Sequence, residues 1–288
     1  MPQSPLLAFA THSLDRNANL RADEIWVEKL LKNPTTRHVR LQGDKTFVAD
    51  GALQVFDTPH VSENILLGTD AFGIGWFASR TDEAEGMADL RSLAVAGTMP
   101  PATLGMLAQA RSILHWHERH GFCANCGQRT VMQDAGYRRH CAPCGTDHFP
   151  RTDPVIIIAV RRGGKLLLGR QSIWPEGMYS TLAGFMEPGE TIEDAARREV
   201  FEESGIRVGE ISFHANQPWP FPSSLMIGLI GEALNDEVVV DAKELETARW
   251  FDEAEVHGML AGTHATGLKA PQPMAIAHHL IRAAISAR

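Results

Sequence analysis

The sequence predicts a mixed α+β protein of more than one domain, and three observations carry that reading. Its 288 residues exceed the roughly 100–200 of one ordinary domain. Strand-like runs and amphipathic helical stretches occur in both halves of the chain. All four cysteines fall between Cys123 and Cys144, and Pro150 to Pro154 marks a break just after them. The expected domains are therefore 1–118, 119–150 and 151–288.

In chain order, Thr46–Val48 and Ile74–Phe77 read as short strands. A helix over Pro101–His120 places Leu104, Leu107, Ala108 and Ile113 on one face. After the cysteines, the aliphatic run Val155–Val160 and the run Lys165–Arg170 form a hairpin across Gly163-Gly164. A glycine-rich bend over Ala183–Gly189 leads into a helix over Thr191–Ser204. Strands over Ile206–Phe213 and Leu225–Leu234 follow, then helices over Asp252–Leu260 and Met274–Ser286. No repeat at a fixed period is visible.

Composition narrows the function. Apolar residues make up 44% and charged residues 22%, close to the averages of soluble globular proteins. The longest aliphatic run is too short to cross a bilayer. Met1–Thr11 has no basic residue ahead of its apolar stretch, so no signal peptide is expected and the cytoplasm is the expected location, with no membrane partner. A net charge of -8 argues against coating nucleic acid by bulk electrostatics. A phosphate-bearing partner then needs a local device such as a metal ion.

Cys123-Ala-Asn-Cys126 and Cys141-Ala-Pro-Cys144 are two knuckles, each offering two thiolates from a tight turn. Four thiolates suit tetrahedral Zn²⁺ and leave no open position, so the expected Zn²⁺ is structural. A redox pair is the competing reading, and two matched pairs at this spacing disfavour it. Arg129, Arg138, Arg139 and His140 between the knuckles read as a solvated face. His115 and His117, two residues apart, do not share a helix face and read as packing or surface groups.

The strongest chemical signal is the helix ending in Arg198-Glu199-Val200-Phe201-Glu202-Glu203-Ser204-Gly205. At about 100° per residue, Glu199, Glu202 and Glu203 face one way, and such like charges repel unless a cation sits on that face. Carboxylates holding a hard divalent ion that bridges to phosphate oxygens are the usual chemistry of Mg²⁺. Gly184 and Gly189 are read as letting the loop bend before the helix, and Gly205 as ending it. Arg198 is expected to point away from the centre line of the three carboxylates and to pair with Glu190, holding loop to helix.

Gly184, Glu190, Arg198, Glu199, Val200, Glu202, Glu203, Gly205 and Ile206 match every specified position of the Nudix box. The segment resembles a Nudix hydrolase loop-helix-loop. The resemblance implies an α/β/α sandwich, with Glu199 and Glu203 as central ligands of Mg²⁺ or Mn²⁺, Glu202 assisting, and the carbonyl of Ala183 adding an oxygen. Glu199, Glu202, Glu203 and Arg198 are its implied catalytic residues.

Asn216-Gln217-Pro218-Trp219-Pro220-Phe221-Pro222-Ser223-Ser224, in isolation a rigid proline-rich loop, resembles the signature of the NADH pyrophosphatase branch, with Asn216 where that signature has Ser. Lys243-Glu244-Leu245 is similar to a further segment of that branch, which implies a metal-binding role for Glu244. Residues Gln217 to Ser224, with Arg91, Phe149, Phe185 and Ala277, carry over as substrate-binding. Phe149 stands where some relatives have Tyr, which keeps the stacking face and loses a hydroxyl. Aromatic faces with a few polar groups are what nicotinamide and adenine rings need.

The resemblance thus implies a homodimer that hydrolyses NADH or NAD⁺ to nicotinamide mononucleotide and AMP, with NAD-capped RNA as a further substrate. A dinucleotide-sensing, nucleic-acid-binding regulator with a Nudix-like pocket is the alternative. Degenerate sensors commonly lose box carboxylates, and this chain retains all of them.

Overall fold

The computed structural model describes residues 7–59 and 63–286, so residues 1–6 of the Met1–Thr11 stretch lie outside it. The chain divides into two units. One comprises Ala8–Thr152 with Pro218–Ser223; the other comprises Asp153–Gln217 and, of the described residues, 224–286, together with Leu7. The cysteine segment groups with the first of these.

In the N-terminal unit α1 (Glu24–Leu31) precedes β1 (Arg37–Gln42), β2 (Lys45–Ala49), β3 (Ala52–Leu53), β4 (Ile65–Thr69), β5 (Gly75–Arg80) and β6 (Met87–Asp89). The strands form one sheet in the order β3-β2-β1-β5-β4, with β6 also on β2 and β1–β5 parallel. Two helices follow, α2 (Leu90–Ala96) and α3 (Pro101–Arg119). Asp89 caps α2 by accepting from the Ser92 N–H, satisfying one of the donors a helix start leaves free. The expected helix over Pro101–His120 is α3, with His120 as its C-cap and Leu104, Leu107, Ala108 and Ile113 buried. Strands β7 (Val131–Gln133), β8 (Arg138–Cys141) and β9 (Thr146–His148) make a small antiparallel sheet around the cysteines.

The second unit opens with β10 (Asp153–Arg162) and β11 (Lys165–Arg170). Gly163 and Gly164 join them at φ +55° and +76°, the positive-φ pair that a two-residue hairpin turn demands. Next come β12 (Leu182–Phe185), α4 (Ile192–Ser204), β13 (Val208–Trp219), β14 (Ser224–Ala233), β15 (Thr247–Asp252), α5 (Glu253–Ala261) and α6 (Ile276–Ser286). The sheet order is β13-β14-β10-β11-β15, with β12 also paired to β10 and β10–β14 parallel.

The unbroken aliphatic run of β10 is explained by layers on both of its faces. Ile156, Ile158 and Val160 pack with Ala195, Ala196 and Val200 of α4. Ile157 and Ala159 pack with Val256 and Met259 of α5 and with Ile276, Leu280 and Ile281 of α6. Alternate side chains of one strand therefore build two cores, which is the expected α/β/α sandwich.

Two local expectations change. The glycine-rich bend begins as strand β12, because Leu182 to Phe185 pair in register with β10. The first part of the proline-rich segment is the end of β13, which neighbours β14 and runs as far as Trp219. β15 was not foreseen. Among the described residues, no helix is long and apolar enough to cross a membrane.

Candidate functional site

Helix α4 begins where the Thr191 hydroxyl accepts from the Asp194 N–H and ends where Gly205, at φ +69°, takes the left-handed conformation. Ala195, Ala196 and Val200 fix one face on the sheet. That leaves Glu199 half-buried and Glu203 buried, 4% exposed. The loop after β14 then folds back onto the helix end, with the Val239 N–H donating to the Ser204 carbonyl and the Asp241 N–H to that of Glu203. The Asp241 carbonyl accepts from Glu244 and Leu245, and its carboxylate from the Lys243 N–H. Buried Leu245 anchors this turn, which delivers Glu244 to the helix.

Carboxylate oxygens of Glu199, Glu203 and Glu244 consequently lie within 4.8 Å of one another. Glu203 Oε2 is buried with no hydrogen-bond partner. Burial, and then the charges of Glu199, Glu244 and Glu202, push the Glu203 carboxyl up to about 8. Burial also raises Glu199, against the pull of Arg198. Buried, clustered and partly unpartnered oxygens are the donor set of a hard divalent cation, so these residues fit the metal that the box implies.

Arg198 does pair with Glu190, through Nε at 2.6 Å and a second guanidinium nitrogen at 2.9 Å, and it donates to the Phe185 carbonyl. This fork holds Glu190 at about 2 and ties the loop to the helix. Arg198 stands off the centre line of the carboxylates but is not isolated from them. It also reaches Glu199 and Glu202, each at 3.0 Å, because the i, i+4 spacing puts Glu202 directly above it. Glu202 is exposed and lies outside the three-carboxylate group.

Gly184 is not a bend residue. It sits within β12 opposite Ile156, and a β-carbon there would collide with the Glu199 carboxylate. Its role is to let that carboxylate lie against the strand. Gly189, at φ +93°, does supply the turn. Ala183 pairs opposite Ile157, one residue from the carboxylate contact.

The expected substrate residues fall in both units. Phe185, at 61% exposed, and Phe149, at 63%, are surface aromatics and not core. Gln217 is fully buried: its amide donates to the Met274 carbonyl and its oxygen accepts the Ile276 N–H, so the side chain is committed to the start of α6. Ala277 packs in the α5–α6 core, and Ser224 opens β14. In the N-terminal unit, half-buried Trp219 and Phe221 make edge contacts with each other and with Phe9, while Arg91 lies 5.4 Å and 4.7 Å from their ring centres. Ser223 is buried and shares a 2.6 Å hydrogen bond with Ser112; Pro220 is buried, and Pro218 and Pro222 are half-buried. Phe9 and Asp241 were missed. The Asp-x-Lys-Glu turn carries a local signal for Asp241, and nothing near Phe9 marks it.

The cysteine sulfurs also converge within 4.8 Å, with Cys123–Cys144 at 3.6 Å and Cys126–Cys141 at 3.4 Å. A zinc tetrahedron with Zn–S of about 2.3 Å has edges near 3.8 Å, so the four thiols fit structural Zn²⁺ with little adjustment. Gly127 and Gly145, at φ +74° and +73°, close the two knuckles. His117 is buried, accepting from Arg139 at Nδ1 and donating to the Gly136 carbonyl at Nε2, which makes it a packing group.

Family models match all three parts of the chain: a NUDIX domain over 150–270, an NADH pyrophosphatase zinc ribbon domain over 118–149, and an NADH pyrophosphatase-like rudimentary NUDIX domain over 18–116. A NAD-capped RNA hydrolase NudC of Pseudomonas syringae pv. syringae is 36% identical over 222 residues, covering 73% of this chain and 79% of the relative. The chain belongs to the Nudix family, in its zinc-ribbon NADH pyrophosphatase branch. The NAD-capped RNA hydrolase NUDT12 of Homo sapiens is 48% identical over 188 residues, 62% of this chain, and the chain spans 41% of that protein's length. The NAD(P)H pyrophosphatase NUDT13, mitochondrial, of Mus musculus is 42% identical over 194 residues and is spanned to 55%.

Proposed function

We propose that the chain hydrolyses the pyrophosphate bond of NADH and NAD⁺ to nicotinamide mononucleotide and AMP, and removes the NAD cap from RNA 5′ ends. The observation that carries this is the convergence of Glu199, Glu203 and Glu244 around an unpartnered buried oxygen. The names of the relatives, which pair NAD-capped RNA with NAD(P)H pyrophosphate, supply the substrate class.

Glu199, Glu203 and Glu244 would hold Mg²⁺ or Mn²⁺, with the Ala183 carbonyl and Glu202 as further groups. The bound ion supplies charge neutralisation for the two phosphates. Arg198 keeps Glu190, Glu199 and Glu202 in place. Water adds to one phosphorus, the bridging P–O bond breaks, and the bridging oxygen leaves with the other phosphate. A carboxylate takes the proton that water gives up. Zn²⁺ at the cysteines is structural. A homodimer, which rests on the family resemblance alone, and the cytoplasmic location expected from the sequence complete the proposal.

Incubating the purified chain with NADH, NAD⁺ or NAD-capped RNA, in Mg²⁺ or Mn²⁺, and separating the products tests the reading. Two monophosphates are expected, and Glu203→Gln should not form them. Intact substrate under every condition would overturn it.

A further inference from the structure

The N-terminal unit carries an open cavity of about 590 Å³, within the roughly 300–1,000 Å³ of small-molecule sites. Its walls come from the β2–β3 turn, the β4–β5 connection and the first turns of α3, so it lies wholly within this unit. Trp76 and Met106 supply apolar surface. Among the described residues, the only charged side chains lining it are Asp50 and Asp70, with no Lys, Arg or His.

The two aspartates differ in what they do. Asp70 is occupied: Oδ1 accepts the N–H groups of Phe72 and Ile74 at 2.9 and 3.0 Å, and Oδ2 faces the Trp76 indole N–H at 3.4 Å. It fixes the connection and orients the indole. Asp50 stands in the turn at φ +51°, exposed, and among the described residues its carboxylate makes no hydrogen bond or ion pair. A ligand entering here meets an oriented aromatic ring, a polarizable thioether and a free acceptor carboxylate. It meets no cation that would balance a phosphate or carboxylate, so Coulomb repulsion selects against anions.

We propose that this cavity binds a planar nitrogen heterocycle of nucleoside size, uncharged or cationic, with its ring against Trp76 and Met106 and its N–H donors or positive charge at Asp50. Neither the carboxylate cluster nor the zinc ribbon contributes to it, and the proposal goes beyond the hydrolase reading.

The test uses the full chain labelled with 5-fluorotryptophan, whose six tryptophans give resolvable ¹⁹F signals. The signal missing from Trp76→Phe assigns position 76, so binding elsewhere in the chain is not mistaken for binding here. Adenosine and 1-methylnicotinamide are the probes and benzoate, a planar anion, is the control. Saturable shifts of the Trp76 signal are expected with both probes at a Kd of about 1 mM or tighter, and none with benzoate. Ala102→Phe, at the cavity wall, should abolish the shifts, and Asp50→Asn should weaken 1-methylnicotinamide several-fold more than adenosine. An unmoved signal with both probes to about 10 mM, an equal response to benzoate, or unchanged shifts in both variants overturns the proposal.

Discussion

A β-carbon on Gly184 would lie 1.9 Å from the carboxyl carbon of Glu199. The strand and the helix are thus packed so closely that the carboxylate occupies the space where any other residue has its first side-chain atom. Gly184→Ala must therefore displace Glu199, while β12 keeps its backbone pairing. Divalent-cation affinity should weaken on the order of tenfold to a hundredfold, the range for losing a residue that supports a metal ligand. Titrating activity against Mg²⁺ in both proteins measures it, and an unchanged half-saturation point would sink the close-approach account.

The Glu203 carboxyl, ordinarily near 4.5 and raised to about 8, makes metal-free stability depend on pH. Between those values the folded chain keeps a proton that the unfolded chain has lost. Stability from this residue is therefore full below the lower value, falls as pH rises through the window, and levels off above the upper one. Glu203→Gln should remove that slope, so that in chelator the variant outlasts the wild type at pH 8 but not at pH 5, while losing activity by orders of magnitude. Mg²⁺ should raise the wild-type Tm more at pH 8 than at pH 5. A Tm difference between the two proteins that stays constant with pH would contradict the burial of this carboxyl.

Arg198→Lys retains the charge but cannot serve Glu190, Glu199, Glu202 and the Phe185 carbonyl together, since an ammonium lacks the planar fork. Activity should fall more than tenfold with a modest loss of stability. Parity with the wild type in kcat/KM would show that this network is only a surface ion-pair set.

Cys141 is fully buried among the thiols, and Cys141→Ser replaces a soft thiolate by a poor zinc ligand. Elemental analysis should find about one zinc per wild-type chain and less in the variant, with lower soluble yield, because binding free energy at a structural site is folding free energy. Zinc-free wild type with four freely reacting thiols is the opposing result.

What could be read in the sequence was local or strongly periodic. The box spacing put Glu199 and Glu203 on one face because a single helix fixes their relation, and each knuckle brought its own two thiols together because one tight turn holds both. The aliphatic run of β10 was visible, but its two-sided burial depends on α4, α5 and α6 packing from distant parts of the chain. Gly184 was misread because a glycine required for close approach looks, in sequence, like one required for a turn. Arg198 stands off the centre line of the carboxylates and pairs with Glu190, yet its side chain is long enough to span to Glu199 and Glu202 as well, which a helical wheel does not show. The partners of Gln217, more than fifty residues away, were beyond any local pattern.

Gln217 separates support from recognition within the proline-rich segment. Its side chain closes the start of α6 by accepting the Ile276 N–H and donating to the Met274 carbonyl, both at 2.8 Å. Removing it in Gln217→Ala leaves a buried donor and a buried acceptor without those partners, a cost of about 1–3 kcal/mol for each group left unsatisfied. Each kcal/mol lowers Tm by roughly 2–4 °C in a protein of this general size, so a clear drop is expected. If support is its whole role, KM for NADH should stay close to that of the wild type at temperatures where both are folded. Gln217→Glu keeps the acceptor for Ile276 but loses the donor to Met274, and should recover part of the lost stability. A raised KM with an unchanged Tm would show instead that Gln217 leaves α6 to meet the substrate.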